Sequence, residues 1–284
     1  SLPKSNEKIN KIIMEKKYEI YESGITSYSF SPMTMQLRYL RKNFKVDADM
    51  IITVVDHTDV NDELCRYKDD VVIKNNKLIK INLEDNYSGQ IYNYKIDYHS
   101  DVEKILNQET FTLVKIARLA FTKIKFILIQ KYYLKTNQVK KRCQIVSANK
   151  ILSKKKINEK DLIYLKRITN IYINEVFANK KNIILVFVIH PWKIHYDREE
   201  RETYLPNLND NEIFYWGDFL NEIINNRDEK KNIYMINFKD RYPNIYLKKG
   251  IKENEIHIKN DKSYHLSDNA HLIFLDEIYD FINN

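Results

Sequence analysis

Glycine and proline are scarce in this chain of 284 residues: 4 Gly and 5 Pro against 21 Tyr. Gly24, Gly89, Gly217 and Gly250 stand far apart. Neither a G-x-G-x-x-G dinucleotide loop nor a G-x-x-x-x-G-K phosphate loop can be built from them, which sets aside dinucleotide dehydrogenases and P-loop NTPases. The 2 cysteines, Cys65 and Cys143, are too few for a multi-bridge framework or a cysteine-rich zinc site; one bridge or two buried thiols remain. No stretch of 18 apolar residues is free of charge, so no transmembrane helix is expected. No signal-peptide pattern is visible at Ser1.

Hydrophobic residues make up 43% and charged residues 30%, the balance of a folded globular chain. The formal net charge of +8 is spread in short runs such as Lys154-Lys155-Lys156, without zinc-finger spacing or an RNP-like aromatic motif. Free use of Lys, Asn, Ile and Tyr accounts for it as compositional bias, and no nucleic-acid partner is expected.

Read for periodicity, residues 4 to 16 form an amphipathic helix after Pro3, and Tyr18-Glu19-Ile20-Tyr21 a short strand before Gly24. Met33 to Asn43 reads as a helix and Met50 to Val55 as a buried strand stopped by Asp56. Val71 to Asn82 reads as a hairpin around Asn75-Asn76. Glu159 to Ala178 is a helix leading into the most hydrophobic strand, Ile183 to Ile189. A helix from Asn211 to Asn226, a strand from Ile233 to Phe238 and a last helix from His271 to Ile282 follow. Strands alternating with helices predict an α/β fold, a parallel sheet with helices on both faces.

Residues 111–133 break the rhythm: strongly apolar, helical, and carrying Lys115, Arg118, Lys123, Lys125 and Lys131. The expectation is a core-packing helix whose lysines reach out to water. The alternative is a basic amphipathic helix in contact with a membrane surface or a partner protein.

Ligands of open parallel sheets bind at the carboxyl ends of the strands. Polar residues gather there: Thr26, Ser27 and Ser29 after the first strand, then Asp56, His57, Thr58, Asp59, Asn61, Asp62 and Glu63 after the second. His190-Pro191-Trp192 follows the central strand, and Asp261, His265, Ser267, Asp268 and His271 precede the last helix. A histidine base needs a carboxylate to hold its tautomer, and the loop carrying Asp261 and His265 offers both. Ser267 or Asp268 would cap the last helix, with His271 in its first turn.

The order Gly24, then Asp56-His57-Thr58-Asp59, then Asp261…His265-Leu266-Ser267-Asp268 before a terminal helix resembles the SGNH (GDSL-like) hydrolases. Gly24-Ile25-Thr26-Ser27-Tyr28-Ser29, the run Asp56…Asp59…Asp62-Glu63 and His190-Pro191-Trp192 are similar to SGNH domains of bacterial cell-surface polysaccharide modification. The resemblance implies a single domain over 1–284, three-layer α/β/α and flavodoxin-like, with a helical and hairpin insertion at about 65–155. It implies His265 as general base, Asp261 orienting it, and Gly24 and Thr58 as oxyanion donors. It further implies a carbohydrate or other acyl-ester substrate, no cofactor, no metal, and a place in the cell envelope. Tyr28, Trp192 and Tyr264 would suit sugar stacking.

The chain departs from the family pattern at three points. Thr58 stands where the family usually has Asn, Asp261 lies four rather than three residues before His265, and no Gly-Asp-Ser occurs; only Gly217 is followed by Asp. The expectation is that the nucleophilic serine and its strand lie outside these residues; a non-catalytic carbohydrate-binding or scaffold protein is the alternative. Asp47-Ala48-Asp49 matches a glycosyltransferase's Asp-x-Asp but precedes its strand, on the wrong edge of the sheet. His190 and His195 are too loosely spaced to define a metal site.

Overall fold

A computed structural model of the chain describes residues 29–56, 58–82, 112–135, 157–190, 213–239, 241–242, 244–252, 255–258 and 266–283, with residues 19, 21, 23, 105–107, 195 and 199. The helix expected at 4–16 lies outside these residues. Of the strand expected at 18–21, Glu19 and Tyr21 are described and belong to no strand.

The fold is α/β. Strands β1 (Met50–Val55), β4 (Ile184–Ile189) and β5 (Ile233–Asn237) form a parallel sheet in the order β1-β4-β5. β4, in the middle, pairs Met50 with Ile184 on one side and Leu185 with Ile233 on the other. Its unbroken apolar run has the composition of a strand covered on both faces. Leu185, Phe187 and Ile189 point into a core with α1 (Phe30–Phe44), α4 (Glu159–Phe177) and α5 (Trp216–Asn225). Val186 and Val188 point into a second core with α6 (Asn244–Lys248) and α7 (Asp268–Asn283). Helices therefore cover both faces of the sheet. Gly250, at φ 84, ends α6 in the left-handed conformation that glycine adopts without a Cβ penalty.

β1 is less buried than its composition predicts. Thr53 and Val55 are buried, while Ile52 and Val54 are 41% and 47% exposed. They lie on the face that α6 and α7 cover over β4 and β5, and that layer does not reach them.

The hairpin β2 (Val71–Lys74) and β3 (Lys77–Ile81) turns through Asn75 and Asn76 at φ 50 and 53, the conformation a two-residue hairpin needs and asparagine tolerates. Leu78 is fully buried in the first core, so this part of the 65–155 span belongs to the packed body. Arg38 of α1 fastens it, bonding Glu175 on α4 at 2.6 and 2.7 Å and also the Leu78 carbonyl.

α3 (Thr112–Lys135) contradicts the expectation of core packing: Leu113, Phe121 and Leu128 are 82%, 69% and 60% exposed. Among the described residues, no helix is long and apolar enough to cross a membrane.

Candidate functional site

The chain leaves β1 at Asp56 and starts α2 (Thr58–Asn61) at once. Asp56 Oδ1 accepts from the Thr58 backbone N–H at 2.6 Å and from the Thr58 hydroxyl at 2.5 Å. In return the Asp56 N–H donates to Asp59 Oδ2 at 2.9 Å. A short-side-chain acceptor ahead of a helix satisfies N–H groups that have no partner in the helix, and Asp56 does this here. Thr58 thus lies at the carboxyl edge of the sheet, with its hydroxyl and N–H both donated to Asp56. Asp59 is buried, and burial, then the neighbouring Asp56 charge, push its carboxyl well above the usual carboxylate range.

Glu63 sits one turn further on, where α2 runs into a π-helical turn over Asp62–Tyr67. Its carboxylate is fully buried and bonded to the start of α1. It accepts from Ser29 Oγ at 2.5 Å, Ser31 N–H at 2.9 Å, the Ser31 hydroxyl, and Tyr164 O–H at 2.6 Å. Burial and the Glu63 charge raise the Tyr164 phenol, which stays a donor. A carboxylate at a helix N-terminus is also favoured by the helix dipole. Glu63 therefore locks α1 to α2 and α4.

His190 follows β4. Its N–H donates to the Val55 carbonyl at 3.1 Å, which places it beside Asp56. The ring packs edge-on to Tyr242 and Phe274, centroids 6.1 and 5.5 Å away, and Nε2 is enclosed with no hydrogen-bond partner among the described residues. Burial, helped by the charges of His257, His271 and His195, lowers the His190 pKa to about 3. Tyr242 in turn meets His257 Nε2 at 2.8 Å.

β5 ends at Asn237, whose Oδ1 accepts from the Tyr215 hydroxyl and from the Lys239 N–H, the latter at 3.0 Å. Gly217 makes room for that contact: a Cβ there would lie 2.5 Å from Tyr215 Cε1 and 3.3 Å from Asn237 Nδ2. His195 rests on the Tyr215 ring at 5.1 Å, and Lys239 Nζ lies over the same ring at 4.8 Å. The last helix begins at Asp268 rather than His271, because Ser267 Oγ caps it, accepting from Ala270 N–H at 3.4 Å. Leu266, next in sequence to His265, is buried and bridges to His257.

The carboxyl edge thus brings together Asp56 and Thr58, His190, Asn237, and the start of α7 with His257 beside it. Gly24, His57, Asp261 and His265 lie outside the described residues. Among the described residues, no three His, Cys, Asp or Glu side chains are grouped to hold a metal ion. Comparison with family models, curated proteins and solved structures finds no match. Asn237, Tyr215, His195 and His257 were not singled out by sequence pattern as parts of one edge. Asn237 had a usable signal, as the polar residue closing an apolar strand; the other three are brought in by loops.

Proposed function

We propose that the protein is an SGNH-type serine esterase or O-acyltransferase acting on acyl esters, with a carbohydrate as the substrate, on a three-layer, flavodoxin-like fold. The observation that carries the reading is the carboxyl edge itself. Asp56–Thr58 after β1 and His190 after β4 are joined there by the 3.1 Å His190–Val55 bond, beside the capped start of the helix that follows Asp261 and His265. Adjacent parallel strands ending together in polar residues form the crevice in which such sheets bind ligands.

In this mechanism His265, held by Asp261, takes the proton of the nucleophilic serine as its oxygen attacks the ester carbonyl. The carbonyl oxygen becomes an oxyanion held by the Gly24 N–H and Thr58. For Thr58 to serve, its hydroxyl turns from Asp56 Oδ1 toward the oxyanion, and Asp56 gives up a 2.5 Å bond. One such donor contributes about 3–4 kcal/mol to the transition state. His265 then protonates the departing alcohol, and water or a sugar hydroxyl, deprotonated by His265, attacks the acyl-serine. Water makes an esterase; a sugar makes an O-acyltransferase. The resemblance to domains of cell-surface polysaccharide modification supports a cell-envelope location.

The test is p-nitrophenyl acetate hydrolysis by the full-length protein. His265→Ala is expected to lower kcat by at least about 10³-fold, as loss of a triad base does. The second reading, a non-catalytic carbohydrate-binding or scaffold protein, is favoured by the commitment of both Thr58 donors to Asp56. An inert full-length protein, or equal rates with and without His265, would leave that reading in front.

A further inference from the structure

We propose that α3 is an interfacial anchor that seats the protein on a membrane surface rich in anionic lipid. The helix has 24 residues, Thr112–Lys135, and carries Lys115, Arg118, Lys123, Lys125, Lys131 and Lys135. It contains no Asp or Glu, although these make up 39 of the 284 residues. Over residues 112–128, at 3.6 residues per turn, Ile116, Leu113, Ile124, Leu128 and Phe121 fall within one arc of about 140°. That arc faces solvent: Ile116 is 58% exposed, Ile124 55%, and Leu113, Leu128 and Phe121 more so. Lys123 borders the arc on one side, and Lys125 and Arg118 on the other. The partly buried residues Lys115, Leu119 and Thr122 lie on the opposite side of the helix.

An apolar strip about 25 Å long, exposed to water and edged on both sides by cations, has the layout of a helix lying in the plane of a bilayer. Its apolar side chains sink below the headgroups while the bordering cations stay level with phosphates. The cations exclude a spanning orientation, in agreement with the absence of a membrane-crossing helix among the described residues. They also argue against a second copy of the chain as the occupant. Two such strips face to face would bring like-charged borders together, whereas anionic headgroups neutralise them. This inference stands whether or not the carboxyl edge is catalytic.

The test is co-sedimentation of the full chain with phosphatidylcholine vesicles and with vesicles in which about a third of the lipid is phosphatidylglycerol. Partitioning onto the anionic vesicles is expected to be at least about tenfold stronger, and to fall at least about tenfold in 0.5 M salt. Lys123→Glu with Lys125→Glu is expected to weaken it by more than about 25-fold, near fivefold for each cation lost. Phe121→Ser with Leu128→Ser is expected to abolish it. All four side chains are exposed, so far-UV circular dichroism and the Tm should match the unaltered protein. Equal partitioning on both vesicle types, no partitioning, or a dimer in sedimentation velocity that the serine substitutions dissociate would each overturn the proposal.

Discussion

Glu63→Ala is expected to destabilise the protein by about 3–5 kcal/mol in urea unfolding, enough to remove much of the stability of an ordinary domain. The side chain is fully buried and accepts from Ser29 Oγ, Ser31 N–H, Ser31 Oγ and Tyr164 O–H. Truncation leaves those buried donors without their acceptor and opens a cavity between Ser29, Ser31 and Tyr164. A buried donor without a partner costs about 1–3 kcal/mol, and serine hydroxyls that rotate to new acceptors recover part of the loss. Glu63→Gln keeps the shape and one carbonyl acceptor, so its cost is expected to be smaller, about 1–2 kcal/mol. The contrast matters because Glu63 lies in a row of acids that resembles an active-site loop. A loss below about 1 kcal/mol for Glu63→Ala would show that the hydroxyls do not depend on it.

The second large effect is a loss of stability in acid that His190 controls. Its folded pKa, about 3, lies below the value of 6.5 expected of an unfolded histidine. The stabilising difference is therefore complete above pH 6.5. It is lost as pH falls toward 3, because the unfolded chain takes up a proton that the folded chain refuses. At pH 4.5 this amounts to roughly 2–3 kcal/mol. Asp59 has the opposite sign: its raised pKa makes the folded state bind a proton first, so it adds stability as pH falls. Comparing two proteins that share Asp59 cancels that contribution. His190→Phe keeps an aromatic ring against Tyr242 and Phe274 and removes the buried ring nitrogen. It is expected to match the unaltered protein within about 1 kcal/mol at pH 8, and to exceed it by roughly 2–3 kcal/mol at pH 4.5. Parallel stability curves over that range would contradict the burial argument.

Local chemistry made several elements legible in the sequence. The run Ile183 to Ile189 is long, β-branched and uncharged, and it forms the strand covered on both faces. Asn75-Asn76 marked the hairpin because few residues tolerate positive φ twice in succession. What depends on partners was not legible. Ile52 and Val54 look like core residues in composition, but the cover over β4 and β5 stops short of them. Glu63 was grouped with Asp56, Thr58 and Asp59 by spacing. Its bonds to Ser29 and Ser31, more than thirty positions away, depend on how α1 packs. For 111–133, composition favours a core helix over an interfacial one, and exposure decides against the core.

The candidate site divides the same way. Asp56 and His190 could be placed at strand ends because each closes an apolar run. Asn237 closes β5 in the same way, whereas Tyr215 and His257 reach the edge from other segments, bonded to Asn237 and Tyr242.

The most direct measurement is the intact mass of the full-length protein after reaction with a fluorophosphonate, beside its His265→Ala variant. Acyl transfer through a serine served by His265 predicts one covalent adduct on the unaltered protein, mapped by peptide digestion to a single serine. It predicts adduct formation at least about 10³-fold slower in the variant. No adduct on the folded full-length protein, or equal labelling of both, would contradict the account.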